Sequence, residues 1–173
     1  MRKKFLMGAV VIIMMSIGLW YLGTPDKAEL KVNSSETGIF VGKVSPAFTL
    51  EGLDGQVRSI GKAGRITVIN FWATWCPPCR EEMPELNKFA QNNKETVDFY
   101  AVNLQEPVEK VSDFMAKSNY TLPVLLDKDG EVGKKFKIKS IPTTIIVDKQ
   151  GVIRYRNSGA LTASELESIL KGL

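Results

Sequence analysis

Three features of the 173-residue chain predict a mixed α/β sheet covered on both faces, preceded by a single N-terminal transmembrane helix. β-Branched runs such as RITVINFWA and TTIIVD recur along it. Between them lie amphipathic segments such as REEMPELNKFAQNN, in which Met83, Leu86 and Ala90 fall at helical spacing with Phe89 beside them. Ahead of these, Phe5 to Pro25 carries no charge. An uncharged run of about 20 residues can cross a bilayer as a helix.

The elements follow in order. Residues 1–4, MRKK, hold the N-terminus in the cytoplasm and send the rest of the chain outward. Residues 5–25 are the anchor, with Trp20 and Tyr21 near its outer end, where amphipathic rings favour the interface. A cleaved signal peptide is the competing reading. Its apolar part usually runs to about 7–15 residues before an A-x-A-like site, and neither feature is present. No cysteine follows the apolar run, which excludes lipoprotein processing. Residues 26–38 form a polar linker, and residues 39–173 the folded domain. Asn33-Ser34-Ser35 matches a glycosylation sequon, relevant only in a eukaryotic secretory setting.

Within the domain, Asp54-Gly55 separates two short alternating runs and predicts a hairpin. RITVINFWA reads as a strand buried on both faces, and the segment after the cysteines as a helix. TVDFYAVNL is a strand, EPVEKVSDFMAKSN a helix, TLPVLLD a strand and GEVGKKFKI a short helix. TTIIVD and VIRYR form an antiparallel pair, and ASELESILKGL closes the chain as a helix capped by Thr162 or Ser164.

The net charge of +4 carries little information. Arg2, Lys3 and Lys4 supply three of the 23 bases, and the remaining 20 face 19 acids from Asp26 onward. Such a balance excludes a nucleic-acid partner, which normally calls for a concentrated basic surface.

Only Cys76 and Cys79 are cysteines, and the chain has no histidine. Zinc normally takes four ligands, so two carboxylates would have to assist. Covalent haem attachment calls for Cys-x-x-Cys-His, and Arg80 stands at the fifth position. A structural staple over so small a loop restricts the unfolded chain by roughly 2 kcal/mol, against about 4.7 for a 100-residue loop. The reading that survives is a reversible dithiol, with no cofactor beyond the cysteine pair itself. A strand ends near Ala73 and a helix starts at the cysteines, so Cys76 sits at a helix N-terminus. There free amides and the helix dipole stabilise a thiolate, the reactive form. Pro77 and Pro78 occupy the first two helical positions, where proline is tolerated. Neither has an N–H, so the amide of Cys79 is the nearest able to reach the Cys76 sulfur.

NFWATWCPPC resembles the thioredoxin-family active site, and CREEMPEL its extracytoplasmic branch of ResA/TlpA/StoA-type thiol–disulfide oxidoreductases. VGKVSPAFTLEGLDG is similar to that branch's N-terminal β-hairpin, IPTTIIVD to its cis-proline strand, and EPVEKVSDFMAKSNYTLPVLLD to its central inserted αβ element. The resemblance implies an exposed nucleophile at Cys76 and a buried resolving thiol at Cys79. It implies a cis peptide at Pro142, with Ile141 and Thr143 helping to line a substrate groove beside Trp75, Pro77 and Pro78. A trans proline opening a strand is the plain alternative from sequence alone. Asn70 stands where thioredoxin has a titratable aspartate. Glu82, one helical turn after Cys79, is the replacement that the resemblance implies, against the reading of a solvent-facing acid that fits Glu81 and Glu85. Trp72 reads as a packing residue. The KKFKIK cluster before Pro142 is either a solvated helix end or a surface for acidic partners.

By resemblance, the expected activity is reduction of a specific protein disulfide, such as the haem-binding cysteines of apocytochrome c. The expected electron donor is a CcdA-like membrane protein. Reduction of spore or envelope proteins, disulfide oxidation or isomerisation, a thioredoxin-like peroxidase, and a non-catalytic thioredoxin-like binding module are the alternatives.

Overall fold

The computed structural model describes residues 36–61 and 64–173. The anchor at 5–25 and most of the linker at 26–38 lie outside the described residues. Among those described, no helix is long and apolar enough to cross a membrane.

Seven strands form one mixed sheet: β1 (Phe48–Gly52), β2 (Val57–Ile60), β3 (Ile66–Trp72), β4 (Val97–Leu104), β5 (Val124–Asp127), β6 (Thr143–Val147) and β7 (Ile153–Ser158). The helices are α1 (Pro77–Asn92), α2 (Val108–Lys117), α3 (Glu131–Lys135) and α4 (Ala163–Lys171). Strand order is β2-β1-β5-β4-β3-β6-β7. β3, β4 and β5 run parallel, joined by α1 and α2 as the crossover helices that parallel pairing requires. β6 is antiparallel to β3, and β7 to β6. The Asp54-Gly55 signal is realised as the β1–β2 hairpin, where Gly55 adopts φ 76° and Arg58 bonds the Asp54 carboxylate. The helix and strand expected as an insertion are α2 and β5, and β5 lies between β4 and β1.

Alternation along β3 splits its side chains between two cores. Val68 and Trp72 join Leu86, Phe89, Val111 and Leu166 of the α1, α2 and α4 layer. Ile69 and Phe71 join Phe48, Val132 and Phe136 on the other face. Trp72 is fully buried with its ring 5.5 Å from that of Phe114, which matches its reading as a packing residue. Asn70 occupies the same face as Val68 and Trp72, so the pleat directs a polar side chain toward α1. α4 is capped by Thr162 through a reciprocal box with Glu165, the first of the two candidate caps.

Candidate active site

The site lies where β3 ends and α1 begins. Thr74, Trp75 and Cys76 connect them, and Cys76 is the N-cap with extended backbone. Pro77 and Pro78 occupy the first two helical positions, as the sequence predicts. The first amide available to the Cys76 sulfur is that of Cys79, which donates to Sγ at 3.3 Å. Cys76 and Cys79 are joined in a disulfide, with Cα atoms 5.3 Å apart.

The two cysteines differ less in exposure than expected. Cys79 is 0% exposed and Cys76 only 3%, so the outward-facing nucleophile is a correction for the disulfide state. The physical reason is orientation. The Cys76 sulfur turns inward, 3.7 Å from the carbonyl oxygen of Ile141, and Trp75, Pro77 and Pro78 supply the exposed surface instead. As half of a disulfide, that sulfur has no hydrogen to donate; once reduced to the thiol it can donate to Ile141.

The Ile141–Pro142 peptide is cis. Ile141 is half-buried and packs against both cores, whereas Pro142 is buried. Thr143 does not line a surface groove, a second correction: it is 1% exposed. Its register opposite Ser158 turns the hydroxyl onto the Ser140 carbonyl and Ser158 Oγ, both at 2.7 Å. Gly159, at φ 126°, then donates its amide to the Pro142 carbonyl at 2.9 Å and closes the loop over the site.

Glu82 is buried, at 3% exposure. The inward stripe of α1 is Cys79, Glu82, Met83, Leu86, Phe89 and Ala90, so one helical turn separates the carboxyl from the buried sulfur along one face. Glu82 Oε1 accepts from Asn70 Nδ2 at 2.9 Å, and Oε2 from the Leu161 amide at 2.8 Å. Asn70 also donates to Thr144 Oγ1 at 3.1 Å, its partner across the β3–β6 ladder. Burial raises the Glu82 pKa to about 7, only partly offset by the Leu161 and Asn70 donors. A buried group that titrates near neutrality is suited to moving protons. Glu81 is exposed, as expected for a solvent-facing acid. Glu85 is not fully so: it is half-buried and accepts the Ala163 amide at 3.2 Å.

One cluster escapes sequence reasoning. Glu106, 7% exposed, accepts the Thr74 amide and the Thr74 hydroxyl, each at 2.6 Å. Asn103 Nδ2 and Lys110 Nζ add donors at 2.9 Å each. Burial alone would raise the Glu106 pKa, but donors from Thr74, Asn103 and Lys110 outweigh it and hold the carboxyl below its usual range. Glu106 thereby fixes the loop two residues before Cys76. Its only local signal is an acid ahead of a helix, and Thr74 lies 32 positions away.

A cysteine at a helix N-terminus, closed onto a second beneath it and facing a cis-proline loop, can exchange its disulfide with that of another molecule. The fold and this junction define a thioredoxin-like thiol–disulfide oxidoreductase. The Redoxin family model matches residues 40–171, and the chain belongs to that family. It is 34% identical over 174 aligned positions to thioredoxin-like protein YneN of Bacillus subtilis, covering 98% of each chain. To the thiol–disulfide oxidoreductase ResA of Geobacillus thermodenitrificans it is 28% identical, covering 99% of this chain and 97% of that one. Sporulation thiol–disulfide oxidoreductase A of B. subtilis is 27% identical, over 91% of this chain and 92% of the relative. The crystal structure of StoA from B. subtilis superposes with a TM-score of 0.67 at 31% identity, over 72% of this chain and 96% of that one.

Proposed function

We propose that this oxidoreductase works outside the cytoplasm, held to the membrane by its N-terminal apolar segment, and reduces the disulfide of a specific protein. The haem-binding cysteines of apocytochrome c are the proposed substrate, and a CcdA-like membrane protein the electron donor. The observation that carries a proton-coupled dithiol cycle is the buried Glu82 on the face of α1 that holds Cys79, and the reductive direction follows the resemblance to ResA-type proteins. The Cys76 thiolate attacks one substrate sulfur, forming a mixed disulfide and releasing the other sulfur as a thiolate that takes up a proton. Glu82 then accepts the Cys79 proton, and Cys79 attacks Cys76 Sγ. The second substrate sulfur leaves and is protonated in turn. Two enzyme thiols become one disulfide, and one substrate disulfide becomes two thiols. Trp75, Pro77, Pro78, Ile141 and Pro142 are the proposed contact surface.

A second substrate, a spore or envelope protein, is supported by the likeness to the sporulation oxidoreductase and to StoA. A Cys79→Ser variant expressed in cells distinguishes them. Cys76 should hold its partner as a mixed disulfide, identified by mass spectrometry. Recovery of apocytochrome c supports the leading reading, recovery of a spore-coat or envelope protein supports the second, and recovery only of cytoplasmic proteins contradicts both.

A further inference from the structure

From the loop that carries Ile141, we infer a cationic docking surface for an acidic segment flanking the substrate's disulfide. The inference rests on the oxidoreductase activity and adds a determinant of which substrates that site accepts.

Lys135, Lys137 and Lys139 are exposed, and Lys137 sits at φ 48°, where the chain turns out of α3 toward the site. Among the described residues none of these lysines, nor Arg156, has a carboxylate partner. Lys135 reaches only the Ala47 carbonyl at 3.0 Å. Arg156 donates to the Phe136 carbonyl at 2.8 Å, which brings its charge from β7 to the base of the same loop. The other bases nearby are neutralised: Lys134 by Glu131 at 2.7 Å, and Arg154 by Asp148.

Position ties this surplus to the chemistry. Lys139 is two residues before Ile141, hence within about 7 Å along the chain. The Ile141 carbonyl lies 3.7 Å from Cys76 Sγ. On the α1 side, exposed Arg80 and Glu81 offset each other, and Lys117 pairs with Asp113. The rim of the disulfide is therefore cationic on the cis-proline side and balanced on the other. Between them, exposed Trp75, Pro77 and Pro78 form an apolar centre. A one-sided charge beside an apolar contact steers encounter and fixes orientation. At physiological salt the Debye length is about 8 Å, so acids within two or three residues of the substrate disulfide would feel it.

The test uses reduced full-length protein in a non-ionic detergent. Three peptides share one apolar disulfide core and carry aspartates, lysines or serines on both flanks. Single-turnover oxidation of the protein by each peptide is followed at low and high salt, and repeated with Lys137→Glu/Lys139→Glu. The aspartate peptide should react roughly tenfold faster than the lysine peptide at low salt, within the range of electrostatic steering. High salt should erase the difference, and so should the double variant, which leaves two bases against two acids in the patch, while the serine peptide reacts unchanged. Equal rates of the wild-type protein with all three peptides at low salt would overturn the inference. If the serine peptide itself fails to react, the oxidoreductase activity on which the inference rests fails with it.

Discussion

Asn70 on β3 donates to Glu82 on α1 at 2.9 Å in the interior, 12 positions apart in sequence. An amide that cannot titrate thus supports a carboxyl that does. Among the described residues, the Asn70 Oδ1 has no partner of its own. Turning the amide over would offer that oxygen to a protonated Glu82, so one pair of side chains can satisfy both protonation states. The Glu82 carboxyl can thus stay hydrogen-bonded in either state, as its proposed proton-carrying role requires.

Glu82→Gln keeps the size of the side chain and removes its proton transfer. Reduction of a protein disulfide should slow by about 10²-fold, within the usual range for general acid–base catalysis. The inflection near pH 7 in its rate profile should disappear. Stopped-flow rates across pH 5–9 check both, and an unchanged profile would remove Glu82 from the mechanism.

The same group sets a stability gradient. Its folded pKa, about 7, lies above the ordinary 4.5, so the folded state holds the proton more tightly than the unfolded chain. The stabilisation is complete below pH 4.5 and is lost as pH rises through 7. At about 1.4 kcal/mol per unit, the loss is about 3 kcal/mol. Urea unfolding of the oxidised protein at pH 4.5 and pH 8 should show this fall in the wild type, relative to Glu82→Gln.

Glu106→Ala leaves three donors facing a buried gap, the Thr74 amide and hydroxyl and Asn103 Nδ2, while half-exposed Lys110 is free to turn to water. Stability should drop by about 2–4 kcal/mol, the scale of a broken buried charged network. The sign of the pH dependence is opposite to that of Glu82. Because the folded pKa is depressed, this contribution is present above the ordinary carboxylate pKa and fades as pH falls through the folded value. Thermal unfolding at pH 7 and pH 3 checks this; wild-type stability in the variant would contradict it.

Pro77→Gly adds an N–H at the first helical position, next to the Cys76 sulfur. The Cys76 pKa should fall by about one unit, the worth of one amide bonded to a thiolate. A rise, measured from thiolate absorbance, would show that the Pro-Pro segment assists ionisation by some other route.

Much of this site was legible because its signals are local. Helical spacing sets Glu82 one turn after Cys79, Pro77-Pro78 fixes where the helix starts, and the choice of a functional Glu82 over a solvent-facing one came from the family resemblance. The hairpin at Asp54-Gly55 and the cap at Thr162 rest on equally short signals. The cis bond at Pro142 came from family resemblance, since composition and spacing also fit a trans proline. What escaped depends on distant chain ends meeting. Thr74 meets Glu106 across 32 positions, and Glu82 meets Leu161 across 79. Periodicity assigns a residue to a face of its own element but does not say which loops close over that face. The inward turn of the Cys76 sulfur and the burial of Thr143 have the same origin. Both follow from strand register and loop closure around Ile141, which no single element encodes.

In the reduced protein, the N-cap position should make Cys76 a thiolate at neutral pH. The most direct measurement is the rate of iodoacetamide alkylation of Cys76 in the fully reduced protein as a function of pH, read by mass spectrometry. The expected apparent pKa is well below the free-thiol value of about 8.5, with Cys76 modified far ahead of Cys79. A pKa at or above that value, or equal labelling of the two cysteines at pH 7, would contradict it.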